Sequence, residues 1–147
     1  MVTESLHKVW ECFVRKEISV LVKDISKNIL VVGGGPHPSA LPRETLQESM
    51  LDAVFVGEAD YSFADICDGK PIANIPGLFY RDDGNIISTG TRTPIENLDD
   101  LPMPAWHIYN IKDYYRMSRI LARKLPIAMN EFSRGCVYRC DFCASKI

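Results

Sequence analysis

The sequence lacks a basic excess, a long apolar run and any internal repeat. Seventeen Lys and Arg stand against nineteen Asp and Glu, for a net charge of −2, which argues against a nucleic-acid-binding surface built on bulk charge. No stretch approaches the roughly 18 consecutive apolar residues of a membrane span, and the first residues lack the basic start and apolar core of a secretion signal. We therefore predict a cytoplasmic protein that binds neither nucleic acid nor membrane.

Cysteines are few, and their distribution is uneven. The chain has five, and Cys136, Cys140 and Cys143 lie close together with the spacing C-x3-C-x2-C. An odd, clustered set is not typical of a secreted disulfide framework. In a reducing compartment it indicates ligation of a metal or an iron–sulfur cluster. A structural zinc site needs four ligands, whereas three thiolates on a four-iron cluster leave one iron open for chemistry.

Short apolar runs alternate with helical segments over the first 70 residues. Ile29–Val32 is continuous and apolar, and Asp52–Val56 is apolar after its first residue, which is typical of parallel strands buried on both faces. Helices are predicted over Pro42–Met50 and over Tyr61–Asp68, the latter ended by Gly69. This order predicts an α/β fold with a partial doubly wound, Rossmann-like parallel sheet.

The two ends of the chain carry further predicted elements. Apolar residues at helical spacing over about residues 3–26 predict one or two core-facing amphipathic helices, with a short strand at Ser19–Val22 as the alternative. Strands at 77–81 and 85–89 flank Asp82-Asp83-Gly84 and predict a β-hairpin. A proline-rich linker over 93–106, a partly helical segment over 109–124 and a strand over 126–132 follow.

Two loops follow the predicted parallel strands. Gly33-Gly34-Gly35-Pro36-His37 comes after the first strand, and Gly57-Glu58 ends the second. Ligands bind at the carboxyl ends of strands in open α/β sheets, so both loops can face one ligand. The first loop is not a G-x-G-x-x-G fingerprint and has no P-loop lysine, which leaves a tight structural turn as the alternative.

The cysteine loop resembles that of the radical S-adenosylmethionine (SAM) enzymes. C-x3-C-x-aromatic-C after a strand is their pattern, with Phe142 here in the aromatic position. The resemblance implies that Cys136, Cys140 and Cys143 hold a 4Fe–4S cluster, that SAM binds its open iron, and that Phe142 lies near the adenine. It also implies reductive cleavage of SAM to a 5′-deoxyadenosyl radical, with an electron donor such as flavodoxin or ferredoxin.

The preceding segment is similar to the cobalamin (B12)-binding domain of the cobalamin-dependent radical SAM enzymes. The likeness rests on 31–40, 52–58, the hairpin at 75–81 and the linker at 96–106. It implies that Gly34 and Gly35 lie against the nucleotide tail of cobalamin, with Glu58 in the same site. The implied organisation is the second half of that domain over 1–70, a hairpin and linker over 71–125, and the first strand and cluster loop of a partial (β/α) barrel over 126–147.

The resulting functional hypothesis is that this chain is part of a radical SAM enzyme. The enzyme is expected to perform cobalamin-dependent methyl transfer, or a related radical rearrangement, on a small molecule. We expect the 147 residues to be a piece of a larger enzyme and not to complete SAM cleavage alone. The alternative is a non-catalytic, truncated module that binds zinc, a cluster or another ligand.

Overall fold

A computed structural model describes residues 16–108, 110, 133–138 and 140–143. The chain divides between Ile95 and Glu96 into two compact units. The first unit is α/β, as predicted, with a four-stranded mixed sheet. The second unit contains, in its described part, two 3₁₀ turns at Leu98–Asp100 and Trp106–Ile108 and the cysteine loop. The predicted boundaries at residues 70 and 125 stay a prediction.

The first described element is a helix, α1, over residues 16–25. Ser19–Val22 therefore lies in a helix and not in the alternative short strand. Residues 3–15 of the predicted helical region lie outside the described part of the chain. The predicted core-facing apolar stripe is wrong here, because Ile18, Leu21 and Ile25 are 52%, 62% and 79% exposed. The helix instead docks through Ser19, which is buried and whose Oγ accepts the Met50 N–H at 3.0 Å.

Two short parallel strands form one half of the sheet. Strand β1 is Val32–Gly33 and strand β2 is Ala53–Phe55, with Val32 opposite Ala53. All three residues of β2 are buried, which confirms the prediction for that strand. Strand β1 is shorter than predicted, and Ile29 and Leu30 are exposed. The reason is that β1 pairs with β2 alone in the described part of the chain, so only one of its edges is covered.

Two helices connect these strands, and a third follows β2. Helix α2 is Pro36–Ala40, α3 is Pro42–Gln47 and α4 is Asp60–Cys67. Both α2 and α3 begin with proline, whose fixed φ suits the first helical position. The predicted helix at 42–50 ends earlier than expected, at Gln47, and beyond it the Ser49 N–H donates to the Leu46 carbonyl, three residues back, at 3.4 Å. The α4 prediction is confirmed, and Gly69, with φ of 76°, follows the end of the helix as expected.

The hairpin supplies the other two strands of the same sheet. Strand β3, Leu78–Asp82, pairs antiparallel with β2 and with β4, Asn85–Ser88. Asp83 and Gly84 form the two-residue turn, with φ of 44° and 82°. Positive φ at both positions defines a type I′ turn, which matches the twist of antiparallel strands. The predicted hairpin is confirmed.

The core lies on both faces of β2, because successive side chains of a strand point in opposite directions. Val54 packs with Leu46 of α3 and with Leu51, while Phe55 packs with Ile75 and Leu78. Ala59 and Ile66, at the start and within α4, border the second cluster. The carboxyl end of β2 is thereby held between the cluster around Val54 and the cluster around Phe55. In the described residues, no helix has the length and apolar character needed to cross a membrane.

Candidate functional site

The glycine loop lies at the carboxyl end of β1, and its first two glycines have close neighbours. A Cβ on Gly33 would lie 2.7 Å from Leu51 Cδ1, so the Leu51 side chain would have to shift. A Cβ on Gly34 would lie 3.4 Å from the ring of Phe55. The side of Gly34 on which a Cβ would stand therefore faces the core. Its predicted place against a cobalamin tail stays a prediction.

Gly35 differs from its neighbours, because its backbone is open. Its φ is +110° and its ψ is −173°, a combination that only glycine adopts readily. In the described part of the chain, and apart from its sequence neighbours, no atom lies within 4 Å of the position that a Cβ would take. A ligand could thus reach bare backbone at Gly35. This geometry fits the close approach that the resemblance implies for cobalamin.

The second loop is joined to the first by one side chain. Ser39, in α2, donates from Oγ to the Gly35 carbonyl at 2.8 Å and accepts from the Gly57 N–H at 3.0 Å. The prediction that both loops lie at one sheet edge is therefore confirmed. Sequence reasoning missed Ser39. The available signal was a hydroxyl four residues after Gly35, which suits a bond to that carbonyl, but the bond to Gly57 depends on tertiary structure.

Glu58 lies beside this edge, and its carboxylate has a structural partner. Oε2 accepts the Ile95 N–H at 2.6 Å. This bond anchors the end of the first unit to the loop after β2. The contact gives Glu58 a structural role, while its role toward cobalamin stays a prediction.

A charged cluster next to α4 was not found from the sequence. Arg92 donates to Ser62 Oγ at 2.9 Å and to Asp65 Oδ2 at 2.8 Å, and its guanidinium carbon lies 5.6 Å from the centre of the Tyr61 ring. Lys70 also pairs with Asp65. Hydrogen bonds from Lys70 and then Arg92 hold the pKa of Asp65 below its ordinary value of 3.8. The cluster fixes the chain at Arg92 against α4.

The cysteine loop belongs to the second unit. Cys136 and Cys140 are exposed, Cys143 is half-buried, and the Cys143 N–H donates to the Cys140 carbonyl at 3.1 Å. The Phe142 side chain is 94% exposed. Within the described residues, no three His, Cys, Asp or Glu side chains converge into a group that could hold a metal ion.

The donor set of this loop nevertheless suits iron–sulfur chemistry. Soft thiolates are the ligands that such clusters take, and the turn from Cys140 to Cys143 brings two of them into one short loop. The cysteines thus suit an iron–sulfur cluster by their residue type and by their accessibility. The assignment of the three cysteines as ligands, and of Phe142 to the adenine, stays a prediction.

A glycine-lined edge of an α/β sheet, followed along the chain by a three-cysteine loop, is the arrangement that the resemblance to the cobalamin-dependent radical SAM class implies. No protein-family model matches the chain. The chain is, however, similar to several curated proteins. An uncharacterised methyltransferase of Pyrococcus horikoshii is 32% identical over 135 residues, which cover 88% of this chain and 28% of that protein. The cytidylyl-2-hydroxyethylphosphonate methyltransferase of Streptomyces wedmorensis is 30% identical, over 76% of this chain and 26% of that protein.

A third relative carries the class in its name. The cobalamin-dependent radical SAM methyltransferase TokK of Streptomyces tokunonensis is 27% identical, over 92% of this chain and 20% of that protein. The resemblance found in the sequence is confirmed, and the chain is related to the radical SAM methyltransferases, some of them cobalamin-dependent. The chain spans about a quarter of the length of the curated relatives it matches.

Proposed function

We propose that this chain contributes the cluster loop and part of the cobalamin-facing edge to a radical SAM enzyme that transfers methyl groups. The observation that carries the proposal is the C-x3-C-x2-C loop in a chain whose relatives include named methyltransferases. When bound, the 4Fe–4S cluster would supply the electron for SAM cleavage and cobalamin would supply the methyl group. A reduced flavodoxin or ferredoxin would be the electron donor, and the substrate would be a small molecule.

The residues of this chain would bind and orient those groups. Cys136, Cys140 and Cys143 would act as thiolates, since the thiolate is the ligating form of cysteine. Phe142, whose ring is almost fully exposed, would pack on the adenine of SAM. At the sheet edge, the open backbone of Gly35 would allow the cobalamin tail to approach closely.

Anaerobic reconstitution with iron and sulfide tests the cluster. We expect about four irons per chain with a broad visible absorbance, since the proposed cluster contains four irons. Cys140→Ala should lose both signals. Cys67→Ala is the matched control, because Cys67 is also an exposed free thiol but lies on α4. Stoichiometric zinc without visible absorbance would instead support the non-catalytic metal-binding alternative.

Spectral titration with hydroxocobalamin and methylcobalamin tests the second cofactor. We expect a saturable change in the visible spectrum of cobalamin as the chain is added. Gly35→Ala should abolish it, because alanine at φ +110° is strained and adds a methyl group at the open backbone. Gly69→Ala, which has a similarly positive φ of 76° at the end of α4, controls for strain away from the edge. Equal binding by wild type and Gly35→Ala would exclude this edge as the site.

A further inference from the structure

The hydroxyl of Ser39 lies between backbone groups of two different loops. It donates to the Gly35 carbonyl at 2.8 Å and accepts from the Gly57 N–H at 3.0 Å. A serine hydroxyl has one proton to donate and two lone pairs to accept with, so both bonds can exist together. One oxygen atom therefore joins the loop after β1 to the loop after β2.

The backbone around Ser39 holds this hydroxyl in place. Pro36 starts α2, Pro38 is fully buried, and α2 packs against β2. The Ser39 N–H also donates to the Gly35 carbonyl, at 3.1 Å. The position of Oγ is thus set by a docked helix and does not depend on a mobile side chain alone.

We propose that Ser39 is a positioning residue, which keeps the bare backbone of Gly35 and Gly57 at one fixed separation for cofactor binding. Among the described residues, chain neighbours aside, no atom lies within 4 Å of a Cβ position on either glycine, so both loops present open backbone at the same edge. Ordering glycine-rich backbone costs conformational entropy, and loops that are joined beforehand lose less on binding. This inference rests on the proposed cobalamin site.

Four variants test this role of Ser39. Ser39→Ala removes both hydrogen bonds, whereas Ser39→Thr keeps a hydroxyl that can reach the carbonyl four residues earlier. Ser88→Ala is the matched control, because the Ser88 hydroxyl also accepts a glycine N–H, that of Gly90 at 3.3 Å, on the hairpin. Ser39→Cys, similar in size but a weak hydrogen-bonding group, is the second loss variant should the alanine variant fail to fold.

Two measurements test the positioning role of Ser39. Solvent exchange of the Gly57 amide proton, followed by NMR, should be about 3- to 10-fold faster in Ser39→Ala, the factor expected for one hydrogen bond. The Kd for hydroxocobalamin should rise by about the same factor. Ser39→Thr should restore both values to within about 2-fold of wild type, and Ser88→Ala should leave both unchanged.

The outcomes separate this inference from the proposed function. Unchanged Gly57 exchange in Ser39→Ala, or faster exchange with unchanged cobalamin affinity, would overturn the role of Ser39 and leave the cobalamin site standing. Absence of cobalamin binding by the wild-type chain would overturn the cobalamin site itself, and the cofactor role of Ser39 with it.

Discussion

The ammonium group of Lys23 lies 2.6 Å from Oδ2 of Asp52. The same Oδ2 atom accepts the Val31 N–H at 2.7 Å, and Lys23 also donates to the Ile29 carbonyl at 2.8 Å. One ion pair thus connects α1, the entry to β1 and the entry to β2. It fixes the start of both parallel strands, and thereby the position of the loops at their other end.

Replacing Asp52 should destabilise the first unit. Asp52→Ala removes the partner of Lys23, whose side chain is only 12% exposed, and the acceptor of the Val31 N–H. We expect a loss of about 1–3 kcal/mol in the free energy of unfolding, measured by urea denaturation. Asp24→Ala, on an exposed position of the same helix, should change it by less than about 0.5 kcal/mol. Equal effects of the two variants would contradict this role of the ion pair.

Arg81 of β3 holds the end of α3 through three carbonyl groups. Its guanidinium donates to Leu46, to Ser49 at 3.0 Å and to Leu51 at 3.1 Å. Arg81→Met should lower the unfolding free energy by about 2–3 kcal/mol, because carbonyls near a helix end lose charged donors. Arg81→Lys should recover only part of this, since an ammonium lacks the planar fork of donors.

A second arginine serves as the control for that experiment. Arg43 makes one carbonyl bond, to Ile86 at 2.9 Å, and lies 5.4 Å from the ring of Phe79. Arg43→Met should therefore cost less, about 1 kcal/mol. A larger loss from Arg43→Met than from Arg81→Met would show that the carbonyl cluster is not the main anchor.

The hairpin turn provides a test of backbone conformation. Gly84 has φ of 82°, and an L-residue with a Cβ is strained there by about 1–2 kcal/mol. Gly84→Ala should lower stability by that amount in chemical denaturation. Asp83→Asn should be close to neutral, because asparagine also accepts the left-handed conformation of this position. Wild-type stability in Gly84→Ala would mean that the turn adopts another type.

Acid should weaken the cluster around Asp65. Its pKa is lowered by bonds from Lys70 and Arg92, so folding favours the ionised carboxylate. The stabilisation is present above the ordinary value of 3.8 and is lost as the pH falls through the lowered folded-state pKa. Asp65→Asn should therefore reduce the Tm at neutral pH and flatten its fall in acid, measured from pH about 7 to about 2.

Asp68→Asn, at the exposed end of the same helix, is the control for that titration. Its Tm should follow that of the wild type across the whole range. If Asp65→Asn and the wild type lose stability in parallel as the pH falls, the ion pairs at Asp65 contribute nothing to the acid response.

The parts of the fold that could be predicted from the sequence are those that local chemistry specifies. Asp83 and Gly84 specify their turn because the positive φ of both positions suits few residues. Within the predicted strand at 52–56, the apolar run 53–56 specifies a buried strand because its side chains can enter a core. Helix α1 was misjudged in its orientation, since periodicity shows that a face is apolar but not what lies opposite it.

Of the candidate site, the sequence by itself determined the three-cysteine loop, its resemblance to radical SAM enzymes and the presence of glycines after β1. These depend on residue type and spacing alone. Only the tertiary structure decided that Gly34 packs on Phe55, that Glu58 binds the Ile95 N–H and that Ser39 joins two loops. Such contacts connect residues far apart in the chain, and their geometry follows from how the helices pack on the sheet.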